Sequence, residues 1–286
     1  MRKRILALML MATLLTALLP AAYAQDVYDG LGRAEEQQTS AACGEITVES
    51  LLAACKEPTL EKKTELMHAL HDYFVSEMTC AAKAQELENA QKALTACQAD
   101  ALMGLGDAAA LDAAQKAADR AQAESDKAAL EQLKVISTIR GLTDVDVSGT
   151  SLSAQDAFLT LKPSDLTLGE LKEAASVNLA PDADAEQALL GLEQNYIDMS
   201  LTYAEIGLAA SDYRTAVETR ESLALSVVMG KATAEEFRVA TANMKQARLS
   251  LFSAMSEYSK LLYTVNETCG GWVVEKAGKL TGFMTN

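Results

Sequence analysis

The clearest pattern in this chain is an alternation of three- and four-residue spacings between apolar positions near its C-terminal end. Such spacing keeps the apolar side chains on one face of an α-helix and predicts a coiled-coil-like seam. A threonine followed three residues later by a glutamate, Thr233 and Glu236, predicts where this helix begins. The seam positions are Phe237, Ala240, Met244, Ala247, Leu251, Ala254, Tyr258, Leu261 and Val265.

A second seam with the same alternation occurs earlier in the chain. Eight of its ten positions are apolar, and half of those are alanine, which allows the backbones of two helices to approach closely. The positions are Leu111, Ala114, Ala118, Ala121, Ser125, Ala128, Gln132, Val135, Ile139 and Leu142. We therefore expect a second long helix that packs against a neighbour.

Each seam follows a long helical stretch and a short glycine-containing segment. Pro58 and Thr59 predict the start of a helix that continues to about Leu102, and a corresponding helix is predicted over 183–228. Glycine-rich breaks between helical segments predict tight turns, here called the hairpin tips. The tip residues are Gly104, Leu105 and Gly106 in the first turn and Met229, Gly230, Ala232 and Thr233 in the second.

The same order of elements occurs twice, which indicates a duplicated supersecondary unit. Aromatic residues make up only 5% of the chain and proline occurs four times, as is typical of long, closely packed helices. We predict an all-α fold of two tandem long antiparallel helical hairpins joined by a short connector. The predicted segments are a signal peptide over 1–24, a flexible stretch over 25–43, a first hairpin over 44–142, a connector with a short helix at about 166–176 over 143–182, a second hairpin over 183–271 and a tail over 272–286.

The N-terminal segment has the pattern of an export signal. Three basic residues, Arg2 to Arg4, precede an apolar stretch and an Ala-Tyr-Ala cleavage motif that ends at Ala24. No later stretch approaches the ~20 apolar residues of a membrane-spanning helix. The chain carries a net charge of −15, which argues against nucleic acid or anionic lipid as a partner.

The five cysteines leave their pairing open. Cys80 and Cys97 are predicted to lie on one helix roughly 25 Å apart, which is too far for a disulfide. Cys43 can pair with Cys55 or with Cys269, and the odd number leaves at least one free thiol.

The candidate chemistry is sparse. The two histidines, His68 and His71, lie near Glu65 and Asp72 on one predicted helix, so a metal site there needs a further ligand from elsewhere. We interpret these histidines as packing or solvated side chains. No catalytic residues, metal site or cofactor are predicted, and we expect that the protein is not an enzyme.

The repeated order of opener, long helix, glycine tip and alanine-rich return helix resembles the TolC family of outer-membrane efflux proteins. Residues 177–179 resemble the element that starts the second repeat in that family, and 229–233 resemble its periplasmic tip; Asp212-Tyr213 and Glu257-Tyr258 resemble its helices more loosely. In that family each protomer contains two such repeats, and three protomers form a periplasmic tunnel of helices under a β-barrel. The resemblance implies a homotrimer whose tips dock a periplasmic adaptor, in partnership with an inner-membrane pump.

The chain departs from that family where the membrane-spanning strands belong. Residues near 72–80 and 202–212 are compatible only with helix, whereas a membrane-spanning strand needs ~9 to 11 residues of alternating pattern. We therefore expect a shortened, barrel-less, TolC-like component of cell-envelope efflux, in the periplasm or associated with the outer membrane. The alternatives are a periplasmic scaffold or binding protein without a transport role and, more remotely, an enzyme or a metal-binding protein that uses His68 and His71.

Overall fold

The computed structural model describes residues 46–150, 152–159, 161–179 and 183–277. The predicted signal peptide and Cys43 lie outside these ranges. The described residues form seven α-helices and two short 3-10 turns, with no strand among them, so the predicted all-α class with two antiparallel hairpins is confirmed. The helices are α1 (Val48–Ala53), α2 (Leu60–Leu102), α3 (Ala108–Thr143), α4 (Leu168–Asn178), α5 (Ala183–Val228), α6 (Ala234–Thr268) and α7 (Trp272–Ala277).

The four long helices pack in the order α3, α2, α6, α5. Helices α2 and α3 form the first hairpin, α5 and α6 form the second, and α2 packs on α6 between them. Lys260 Nζ lies 2.5 Å from Asp72 Oδ1, and Lys245 Nζ lies 3.3 Å from Gln85 Oε1. These two contacts make α2 and α6 antiparallel, so both hairpin turns lie at the same end of the molecule. We call this the tip end and the opposite end the base.

Side-chain caps fix where the helices begin. The Thr59 and Thr233 hydroxyls accept hydrogen bonds from the Lys62 and Glu236 amides, and both predicted helix starts are confirmed. The short helix that was expected at 166–176 runs instead from Leu168 to Asn178. Thr167 forms a capping box with Glu170, which places the start two residues later.

The base holds the hydrophobic core. Helices α1 and α7, the connector and the base ends of the long helices all contribute buried apolar side chains. Tyr258 and Tyr263 each donate a 2.8 Å hydrogen bond to a connector carbonyl, at Leu161 and Ala157 respectively. The largest fully buried side chains include Leu66, Met67, Leu70, Tyr73, Ile139, Leu152, Phe158, Leu166, Phe252 and Tyr263.

The end of α4 docks on the turn between α6 and α7. Gly270 has φ +64°, and a Cβ at this position would lie only 2.4 Å from the side chain of Asn178. Asn178 in turn donates a 2.9 Å hydrogen bond to the Ala174 carbonyl. The absence of a side chain at Gly270 therefore lets the connector close against the second hairpin.

The two hairpins part toward the tip end. Before residue 90, α2 has half-buried positions on more than one face, whereas beyond it only Leu94 and Cys97 are half-buried. These two positions are three residues apart and belong to the single face that packs on α3. The outer part of each hairpin is therefore held mainly by its own internal seam.

Candidate functional site

The first tip is a tight helix-ending turn. The Gly104 amide donates to the Ala101 carbonyl at 3.1 Å, and the Leu105 amide donates to the Asp100 carbonyl at 2.9 Å. This pair of bonds is a Schellman motif, in which Gly104 adopts φ +71°. Gly106 packs so closely that an added Cβ would lie 2.6 Å from the Ala101 backbone nitrogen.

The second tip repeats this geometry. The Gly230 amide donates to the Val227 carbonyl at 3.0 Å, and the Lys231 amide donates to the Ser226 carbonyl at 2.8 Å. Gly230 has φ +67°, and no atom lies within 4 Å of the position its Cβ would take. The first long helix of each hairpin therefore ends in the same helix-terminating motif.

Six large apolar side chains surround the two turns and face solvent. Each of these side chains is between 58% and 90% exposed. In a Schellman motif the residue at the position of Leu105 commonly packs back on its helix, but Leu105 is 78% exposed. We call the six residues the tip crown: Leu102, Met103, Leu105, Leu225, Val228 and Met229.

The predicted tip residues all lie at this end. All of them are exposed except Ala232, which is half-buried. Four members of the tip crown were not predicted as site residues from the sequence: Leu102, Met103, Leu225 and Val228. Leu102 and Val228 end α2 and α5, Met103 caps α2, and Leu225 lies one turn before the end of α5. Their position beside the glycine turns was the available signal.

The predicted seam residues of α6 are all buried or half-buried. The same holds for the ten positions of the α3 seam. Toward the base, Leu251, Tyr258 and Val265 are at most 4% exposed. These seams hold the hairpins together and leave the opposite faces of the outer helices free to contact solvent.

Helix α5 has a second apolar face that the sequence analysis missed. Met199 and Ile206 are buried toward α6, whereas the opposite face carries large apolar residues that are 46% to 69% exposed. A helix that is apolar on two opposite faces is typical of one with neighbours on both sides. The exposed residues, here called the α5 stripe, are Leu190, Ile197, Leu201 and Leu208. Their spacing of seven, four and seven residues was the signal in the sequence.

The two histidines point to different neighbours. His68 Nε2 lies 3.0 Å from the Lys260 carbonyl oxygen and 3.3 Å from Thr264 Oγ1. His71 is fully buried, and its ring centroid lies 4.7 Å from that of Phe158. Burial, reinforced by the positive charges of Lys260 and His68, lowers the pKa of His71 to about 3.

Lys260 links the two hairpins near these histidines. Burial disfavours its charge, but hydrogen bonds and ion pairs with Asp72 and Glu257 outweigh burial and raise the pKa of Lys260 above its ordinary value. In the described part of the chain, no group of three or more His, Cys, Asp or Glu side chains could hold a metal ion. Asp72, a ligand candidate in the sequence analysis, pairs instead with Lys260.

The four cysteines within the described ranges are not bonded to one another. Cys55 and Cys269 are buried at the base, whereas Cys80 and Cys97 lie half-buried along α2. Burial raises the pKa of the Cys269 thiol to about 11. The proposed partner of Cys55 or Cys269 was Cys43, so their pairing stays a prediction.

None of the helices that the structure describes combines the length and the apolar character needed to cross a membrane. The segments near 72–80 and 202–212 are helical, within α2 and α5.

Comparison with known proteins finds a likeness in fold to a solved structure. No protein-family model matches the chain, and no curated protein has a detectably similar sequence. The outer-membrane channel CmeC of Campylobacter jejuni superposes with a TM-score of 0.51 at 11% sequence identity, over 80% of this chain and 68% of the channel. At this level of identity the likeness shows a shared fold, a body of long paired helices.

Proposed function

We propose that this protein is a TolC-like component of cell-envelope export that assembles side by side with copies of itself and docks a partner at its tips. One observation carries the proposal most directly. The outer helices, α3 and α5, both expose large apolar side chains, although each already has a packed face within its own hairpin. The fold shared with an outer-membrane channel supports the same reading.

The exposed apolar residues of α3 and α5 lie at similar distances from the tip end. On α3 the exposed apolar residues are Leu130 and Leu133, about 35 Å from the tip end of that helix at the standard helical rise. Leu208 in the α5 stripe lies about 30 Å from the tip end of α5. Copies placed side by side with their tips level would bring these leucines together.

Charge also matches across this contact. From its start to Asp212, α5 carries only acidic charges, including Asp198 and Glu205 beside the stripe. On α3 the exposed leucines lie among Lys127, Glu131 and Lys134. Lys127 lies 3.9 Å from Glu131, so Lys134 is the cation that remains to face an acidic neighbour. Opposite charges favour α3 of one copy against α5 of the next, whereas two α5 helices would repel each other.

A contact between two different surfaces of identical chains is heterologous. Such contacts form a closed ring when the rotation between copies closes, and a filament when it does not. The four long helices of each copy would then contribute to a wall around a central passage. By resemblance to the TolC family, the number of copies is three.

The tip crown is the proposed docking surface for a partner. Each of the two turns carries three exposed apolar side chains, and exposed apolar clusters of this kind mark protein interaction sites. The two glycine turns leave the backbone accessible, so that helices of a partner can approach closely. By resemblance the partner is the helical hairpin of a periplasmic adaptor, which acts with an inner-membrane pump.

Light scattering of the purified protein tests the assembly. We expect a defined oligomer larger than a dimer, and we expect Leu201→Glu to shift it toward monomer by placing a charge in the apolar and acidic stripe. Ser200→Glu is the matched control, because Ser200 is exposed on the same helix and lies away from the stripe. A monomer or dimer in the unmodified protein would favour the alternative, a helical scaffold without a transport role.

Export itself is tested in the source cell. We expect deletion of the protein to lower tolerance to toxic compounds, and a combined Leu102→Ser and Val228→Ser variant to lower it as well without changing the oligomer. Unchanged tolerance after deletion would contradict the export role and leave the scaffold.

A further inference from the structure

A short stretch of the connector, residues 152–159, lies across the base of the molecule. We call it the strap. Its side chains at Leu152, Ala157, Phe158 and Leu159 are at most 3% exposed. The Phe158 ring lies 5.3 Å from the Phe252 ring of α6, and Tyr263 donates its hydroxyl to the Ala157 carbonyl at 2.8 Å. The strap is thus held to α6 by one aromatic pair and one hydrogen bond in particular.

Under the strap lies a titratable side chain. His71 of α2 is fully buried, and the Phe158 ring meets it edge to face with an interplanar angle of 81°. Lys260 of α6 and His68 of α2 add positive potential at the ring. Asp72 and Glu257 are paired with Lys260, and Glu267 of α6 interacts with His68. The Ala157 carbonyl of the strap slightly favours the protonated ring. Neither ring nitrogen of His71, however, forms a hydrogen bond with the described residues.

Within the described ranges, no carboxylate is among the groups that act on the His71 ring. The one acidic residue of the strap, Asp156, is exposed to solvent. The hydroxyls of Ser256 and Ser259, on the same stretch of α6, are also buried without a hydrogen-bond partner among the described residues. Burying such groups is unfavourable, so closure of the strap gains little from polar contacts beneath it.

We infer that the strap is an acid-sensitive latch: protonation of His71 expels Phe158 and releases residues 152–159 from α2 and α6, while the hairpin seams stay packed. In the closed form the imidazolium would be buried without a counter-ion, which is strongly unfavourable. In the open form the ring reaches water and binds a proton at its ordinary pKa.

The direction and size follow from proton linkage. The pKa of His71 is about 3 when the strap is closed and near 6.5 when the ring is exposed. The open form therefore binds more protons, and its population rises as pH falls below 6.5. Between pH 8 and pH 5 the opening equilibrium should increase roughly 30-fold.

Hydrogen exchange measured by mass spectrometry on the full chain tests this. After correction for intrinsic exchange rates, we expect protection of the amides in 152–159 to fall roughly 30-fold between pH 8 and pH 5. Amides in the α3 and α6 seams serve as the internal control and should keep their protection over the same range.

Two variants assign the effect. His71→Phe removes the titrating group and should leave strap protection independent of pH, whereas His68→Asn should keep the response of the unmodified chain. Circular dichroism shows whether His71→Phe folds. If it does not, the comparison of strap and seam amides in the unmodified chain decides alone.

Three results would overturn the latch. They are constant strap protection from pH 8 to pH 5, an equal loss of protection in the seams, and a response that persists in folded His71→Phe. None of these results bears on the light-scattering test of assembly, so the latch and the proposed assembly are tested independently.

Discussion

The base and the tip halves of this molecule are built from the same helices but are packed in different ways. At the base, aromatic and large aliphatic side chains from α1, the connector, α7 and the long helices share one core. In the tip halves, residues 84–126 and 211–249, the buried apolar residues are alanines, Ala118 and Ala240. Large apolar residues there are half-buried in the seams, as Leu111, Phe237 and Met244 are, or exposed on the surface.

This difference assigns the stability of the fold mainly to the base and leaves the tip halves for contacts with partners. Burial of a large side chain contributes ~1.5 to 3 kcal/mol, whereas a buried alanine contributes much less. The base therefore supplies most of the folding energy, and the tip halves act as paired arms whose outer residues can change with little effect on the fold. The predictions below test that division.

The largest effect is expected from the base core. Phe252→Ala removes a fully buried ring that contacts Phe158, and it should lower the free energy of unfolding by about 3–5 kcal/mol in denaturant titration. Leu102→Ala removes a side chain that is 90% exposed at the tip and should change it by less than about 0.5 kcal/mol. Similar losses from both variants would show that the tip is as well packed as the base.

Acid should weaken the base through His71. Because its pKa is about 3 in the folded state, below the ordinary 6.5, its contribution to stability is present above pH 6.5 and is lost progressively toward pH 3. At pH 5 the loss is on the order of 2 kcal/mol. Denaturant titrations at pH 8 and pH 5 measure it, and His71→Phe should abolish this part of the difference. A loss of the same size in that variant would assign the acid sensitivity to other groups.

Close packing at the first tip should make Gly106 less tolerant of a side chain than Gly230 at the second tip. Gly106→Ala places a Cβ against the Ala101 backbone and should lower the free energy of unfolding by about 1–2 kcal/mol, since the turn must shift. Gly230→Ala meets open space and carries only the strain of its positive φ, about 1 kcal/mol. Thermal unfolding of both variants compares them, and a larger loss at Gly230 would contradict the packing seen at Gly106.

The smallest effect is expected from a single helix cap. Thr233→Ala removes the hydroxyl that accepts from the Glu236 amide, and it should lower stability by about 1 kcal/mol or less. Thr219→Ala, an exposed position within α5, is the control and should change stability by less than half of that. The difference in melting temperature between the two variants measures the cap, and equal melting temperatures would indicate that the helix start is held in another way.

The long helices could be predicted from the sequence because their signals are local. The start at Thr233, the breaks at the glycine tips and the seam from Phe237 to Val265 all depend on residues a few positions apart. The pairing of helices within each hairpin follows from the short turns. These signals required no knowledge of the rest of the molecule.

The strap and the α5 stripe were missed for a different reason. Nothing near Phe158 in the sequence indicates that it will cover His71, since the contact joins residues far apart in the chain. The α5 stripe is visible in the sequence as a spacing of seven and four residues. Because α5 has apolar residues on two opposite faces, however, its apolar positions do not show the simple periodicity of a single seam. Burial had to be known before the exposed face could be recognised.

The most direct test of the account is whether α3 of one copy meets α5 of the next. Leu133→Cys and Leu208→Cys chains are prepared separately, mixed, and oxidised mildly; both positions are exposed, and α3 and α5 do not pack on each other within one chain. We expect a new disulfide-linked dimer in the mixture that neither variant forms alone. A mixture that gives no product beyond those of the separate variants would contradict side-by-side assembly through these two helices.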